Sequence, residues 1–127
     1  MTDFAPLNSF EIALDRARSD LIPMSEFIRT FVDSELVVPS GAEVMSDGSG
    51  FQPLLFKKEQ AQMVGCFSEK QRIGEYTEMT PYYLTMKGRD LLRRLPPSYG
   101  IVINPGCSLG FDISPDGVAR IVSELSN

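Results

Sequence analysis

The sequence has no histidine and no tryptophan, and it has two cysteines among 127 residues. Histidine is the one side chain whose unperturbed pKa lies near physiological pH. Its absence excludes Ser-His-Asp and Cys-His catalysis, His-based zinc sites and His-ligated haem. Cys66 and Cys107 cannot supply a four-cysteine site and are far from C-x-x-C spacing. An enzyme built on this chain would have to use carboxylates, Lys, Arg, Tyr or a lone Cys. No apolar run approaches the ~20 residues of a membrane span. Residues 1–6 carry neither a basic n-region nor an apolar h-region. Neither G-x-G-x-x-G nor G-x-x-x-x-G-K-[ST] occurs. The expectation is a cytoplasmic protein with reduced thiols, no membrane contact and no cofactor.

What is present is ordinary for a folded chain: 43% hydrophobic and 23% charged residues. The length suits one domain spanning 1–127, able to bury roughly two-thirds of its unfolded surface. The net charge of −5 is uneven. Residues 1–50 hold 3 basic and 9 acidic side chains, residues 51–99 hold 8 and 5, and residues 100–127 hold 1 and 3. An acidic first part beside a mildly basic middle argues against nucleic-acid binding, which needs a concentrated basic face. It suits a polarised surface for a protein partner.

Local patterns predict the elements. Asn8 caps a helix from Ser9 to about Arg18, with Glu11 at N3 completing a capping-box-like pair. Phe10, Ala13, Leu14, Ala17 and Leu21 form its buried stripe and leave Glu11 and Asp15 outside. After Pro23, residues Met24, Phe27, Ile28, Phe31 and Val32 give the clearest helical period in the chain, ending near Asp33 or Ser34. Strands are expected at 35–40, closed by Pro39, and at 53–57, 63–67, 82–86 and 100–104. Residues 40–50 read as a glycine-rich turn, with Ala42–Met45 a candidate extended piece. Ser68 through Gln71 reads as a capping box for a short helix towards Tyr76. Gly88 and Asp90 start a helix that Pro96-Pro97 ends. Asn104-Pro-Gly-Cys-Ser108 is a tight turn, with Pro105 at i+1 and Gly106 at i+2, and Leu109–Ile113 returns as a hairpin partner. Ser114-Pro115-Asp116 opens the last helix. This order predicts an α+β domain: a single mixed β-sheet of about five to six strands, helices packed on it, and a C-terminal β-hairpin followed by a helix.

Few residues suggest chemistry. Cys107, in the tight turn, is a candidate reactive thiol, whereas Cys66 reads as core. Lys87, Arg89, Arg93 and Arg94 gather four cations on one short helix and its start, a candidate patch for an acidic partner or a phosphate. A solvated helix face is the plainer reading. Gly88 could present a helix N-terminus to an anion. Glu75, Glu78 and Asp90 have no spacing that puts two of them in one cleft. Tyr76, Tyr82 and Tyr83 cluster around Pro81, and strand alternation predicts at least one of Tyr82 and Tyr83 in the core.

Several of these segments together resemble the N-terminal domain of the SseB family, the bacterial enhanced-serine-sensitivity proteins. They are Cys66-Phe-Ser-Glu69, Gly88-Arg-Asp-Leu-Leu92 before the double proline, Gly100-Ile-Val-Ile-Asn-Pro-Gly106, Leu109-Gly-Phe-Asp-Ile113 and the closing helix. The first helix and Leu36-Val-Val-Pro39 fit the family's opening. Where the family often has Phe-Thr-Ser, this chain has Phe67-Ser68-Glu69. Longer members carry a second domain, and these 127 residues are expected to hold only the first. The resemblance transfers no catalytic residues. It implies a small cytoplasmic accessory or regulatory protein, linked to serine or sulfur metabolism through protein contacts. A homodimer is a related expectation. A small-anion-binding domain and a redox protein using Cys107 are the alternatives.

Overall fold

A computed structural model of the protein describes residues 6–107 and 109–125. Two helices open the chain, α1 (Ser9–Arg18) and α2 (Met24–Asp33). Strands β1 (Glu35–Ser40), β2 (Leu55–Lys58) and β3 (Ala61–Cys66) follow. Two short 3₁₀ turns, Lys70–Arg72 and Gly74–Glu78, lead to β4 (Tyr82–Lys87) and α3 (Gly88–Arg94). Then come β5 (Tyr99–Ile103), β6 (Phe111–Ile113) and α4 (Pro115–Leu125). The fold is α+β, and the strand–turn–strand–helix ending is as expected.

The single sheet is not. β2, β3, β5 and β6 form a four-stranded mixed sheet in that order, with β3 and β5 parallel and the other pairs antiparallel. β1 and β4 form a separate antiparallel ladder. The two are joined where Val37 and Phe67 exchange both backbone bonds at 2.8 Å. Beyond it, the same edge of β3 is taken by the segment entering β2, where Gly65 N–H donates to Leu54 O at 2.8 Å. The β1 edge turns to that segment instead, through a Ser40–Pro53 bridge and Gly41 N–H to Gln52 O at 2.9 Å. Pro39, which has no N–H to donate, sits between the two contacts.

All four helices contribute to one core. Phe10 and Leu14, Phe27 and Phe31, Leu91 and Leu92, and Val118 and Ile121 meet Leu36 and Val38, Val64 and Cys66, and Ile101 and Ile103 from the strands. The alternate strand residues supply a smaller cluster on the opposite face, with Val37, Leu54, Phe67 and Ile73. Phe27 anchors the large core, 5.7 Å from the Phe10 ring and edge-on to Phe111 at 5.1 Å.

Three further expectations need correcting. Residues 42–45 form no strand; the loop closes on itself through Met45 N–H to Ser49 O and Gly48 N–H to Met45 O. Ser68 does not open a helix. Gly74, at φ +56, splits the segment into the two 3₁₀ turns, and Glu69 takes the cap position of the first. Tyr82 and Tyr83 are both exposed, at 43% and 41%. They pair with Ser40 and Pro39 at the far end of the ladder. The half-buried residues of β4 are Leu84 and Met86, further along.

Candidate functional site

The polar residues that the fold brings together lie where α1 starts and where β3 and β5 end. Asn8 caps α1 as expected, accepting from Glu11 N–H at 2.8 Å. Its amide also donates to Ser68 O at 3.0 Å and Glu69 Oε2 at 2.7 Å. At the end of β5, Asn104 takes a left-handed conformation, φ +55, that asparagine tolerates. Asn104 Oδ1 accepts from Ser68 N–H at 3.0 Å, and Asn104 Nδ2 donates to Ser68 Oγ at 3.0 Å. Asn104 O also accepts from Cys107 N–H at 3.1 Å, closing the Pro-Gly turn with Gly106 at φ +81. Ser108, the last residue of the expected turn, lies outside the described residues.

Glu11 is at the centre, and it is fully buried rather than outside the helical stripe. Its Oε1 accepts from Leu7 N–H and Arg72 Nη2, both at 2.8 Å. Its Oε2 accepts from Arg72 Nε at 2.9 Å and from the Ser68 hydroxyl. The capping pair is thus shifted by one residue, to the N–H of Leu7. Arg72 grips the carboxylate with two parallel bonds while keeping 19% of its side chain exposed. Burial alone would raise the Glu11 pKa; the bonds from Arg72, Ser68 and Leu7 outweigh it and hold the carboxyl below the usual range. Among the described residues, no buried side-chain polar atom lacks a partner.

Cys107 adjoins this junction. It is half-buried, and its thiol donates to Arg72 O at 3.6 Å. Burial raises its pKa, Arg72 offsets part of the rise, and Glu11 adds to it. Cys66 is fully buried and its thiol is pushed far up by burial. Both cysteines are free thiols. A carboxylate held low and a thiol held high are each mismatched to proton transfer or attack near neutral pH. The geometry suits a fastening between α1, β3 and β5.

The basic segment is arranged differently. Arg89 is half-buried and paired with Asp33 of α2, whereas Lys87, Arg93 and Arg94 are exposed. Gly88 is buried, and its N–H donates to Ser34 O at 3.0 Å. A Cβ there would fall 2.2 Å from Phe31 O, so this glycine permits close packing of α3 on α2. Glu75, Glu78 and Asp90 are all exposed, the first two on the Gly74–Glu78 turn and Asp90 on α3.

β4 adds a feature that no local pattern announced. It pairs only with β1, so its other edge is free among the described residues. Val37 spends its backbone bonds on Phe67, so the bonded pairs with β4 are Leu36 with Met86 and Val38 with Leu84. Tyr83 and Thr85 therefore turn their N–H and C=O groups outward. The Lys70 ammonium lies 5.2 Å from the Tyr83 ring centre, beside this edge.

Sequence reasoning missed Glu11 and Arg72 as partners. The available signal was one polar residue, Ser68 or Asn104, directly after each of two apolar strands. No helix among the described residues is long and apolar enough to cross a membrane. Residues 11–120 match the family model described as the SseB protein N-terminal domain. No curated protein and no solved structure matches the chain.

Proposed function

This chain belongs to the SseB N-terminal domain family, and from that premise we propose that it is a non-catalytic accessory or regulatory protein of the cytoplasm that acts by holding a protein partner. The observation that supports this reading most is the free edge of β4, with outward backbone groups at Tyr83 and Thr85 beside two exposed tyrosines. An extended partner segment can add to such an edge through main-chain bonds, with the aromatic rings giving contact area. Arg93 and Arg94, exposed on the neighbouring helix, favour an acidic segment. The link to serine or sulfur metabolism is part of the same proposal and rests on the family resemblance.

The decisive variant is Thr85→Pro. It removes one outward N–H and leaves the β1 ladder bonds in place. Partner capture from native extract is expected to fall sharply, with the melting temperature nearly unchanged. Full retention of every partner by Thr85→Pro would contradict the edge-addition reading.

A further inference from the structure

An apolar cavity of about 370 Å³ opens between residues of the two sheets and α3. Val64 of β3, Leu84 and Met86 of β4, and Leu91 and Leu95 of α3 line it. The 41–53 loop adds Phe51 as a further wall. That loop is fixed in place by several bonds. Gln52 N–H donates to Ser40 Oγ at 3.0 Å, Gly41 N–H to Gln52 O at 2.9 Å, and Ser49 N–H to Asp47 Oδ1 at 2.9 Å. The space is therefore formed before any ligand arrives, and its volume is at the small end for small-molecule sites.

Its charge is one-sided. Arg94 is exposed and lines the cavity, and it makes no ion pair among the described residues. No carboxylate of the described residues lines the same space. Tyr99, half-buried, also lines the cavity. An apolar chamber with one unpaired guanidinium at a solvent-exposed position matches a molecule with an aliphatic body and a carboxylate end. The guanidinium can bind both carboxylate oxygens, and the chain replaces water against leucine, valine and phenylalanine.

We propose that this cavity binds a free medium-chain aliphatic carboxylate. The chamber lies beside the β4 edge and shares Arg94 with it, and Thr85, the edge position tested by Thr85→Pro, is not in its lining, so the two readings fail in distinguishable ways.

The test titrates the intact chain with butanoate, hexanoate, octanoate, octanol and octylammonium by calorimetry, with methyl NMR reporting the leucines. Octanoate is expected to bind saturably at one site. Affinity should rise roughly fourfold per methylene along the acid series until the chamber is filled. Octanoate should bind about tenfold more tightly than octanol, and octylammonium more weakly than either. Arg94→Gln, a surface change that leaves the fold alone, should erase the preference for octanoate over octanol. Leu84→Trp, which fills the chamber, should abolish binding of both at an unchanged circular dichroism spectrum. Absence of saturable octanoate binding would overturn the proposal. So would equal affinity for octanol, or octanoate binding that Arg94→Gln does not weaken. Co-sedimentation with phosphatidylglycerol vesicles that Arg94→Gln abolishes would assign the chamber to a bilayer surface and overturn the free-carboxylate reading.

Discussion

Two charged regions of this molecule are opposites. At the junction of α1, β3 and β5, one acid and one arginine are locked together, and among the described residues every buried side-chain polar atom has a partner. On α3, Arg93 and Arg94 stand in solvent with no ion pair among the described residues. The difference teaches where charge matters for this fold. A buried pair is no guarantee of extra stability over an apolar replacement, yet removing one member leaves a desolvated charge. An exposed cation can be lost or reversed at almost no cost.

The largest expected effect follows directly. Arg72→Met strands the Glu11 carboxylate and is expected to cost about 3–5 kcal/mol in urea unfolding. Acid breaks the same link from the other side. The folded Glu11 pKa is lowered, so its contribution is complete above the unfolded-chain value of about 4.3. It is lost as pH falls through the lower folded value. Melting temperature against pH should therefore drop more steeply below about pH 4.3 in the wild type than in Glu11→Gln; parallel curves would show that Glu11 carries no such link. Asn104→Ala removes the acceptor of Ser68 N–H and puts alanine at φ +55. It is expected to cost about 2–3 kcal/mol by the same unfolding measurement. Asn8→Ala should cost about 1 kcal/mol as a lost cap. Arg93→Glu should stay within about 0.5 kcal/mol of wild type. If Arg93→Glu destabilised as much as Asn104→Ala, the distinction between the two regions would fail.

The sequence was legible where structure is local. The period through Met24, Phe27, Ile28, Phe31 and Val32 marks a helix whose buried residues are Phe27, Phe31 and Val32. The Asn104-Pro-Gly turn and the Ser114 cap, which accepts from Gly117 N–H at 3.1 Å, also follow from residue chemistry. Glu11 was not legible as buried, because its partners Ser68 and Arg72 are 57 and 61 residues away. A stripe drawn on one helix contains no information about an arginine beyond β3. The division into two sheets was hidden for a similar reason. The edge of β3 that meets β1 at Phe67 is taken at Gly65 by Leu54, and no local pattern shows which segment lies there. The free edge of β4 and the cavity next to it are consequences of that same division.

Glu11 and Arg72 act as one unit, and a double-mutant cycle tests that most directly. Urea unfolding of wild type, Glu11→Gln, Arg72→Met and the double variant gives the coupling energy. Glutamine keeps one oxygen to accept from Leu7 N–H, and its amide can donate to Ser68 Oγ, without the charge. The double variant is therefore predicted to be more stable than Arg72→Met alone, with a coupling of about 2–3 kcal/mol. A double variant no more stable than Arg72→Met, with a coupling below about 0.5 kcal/mol, would contradict it.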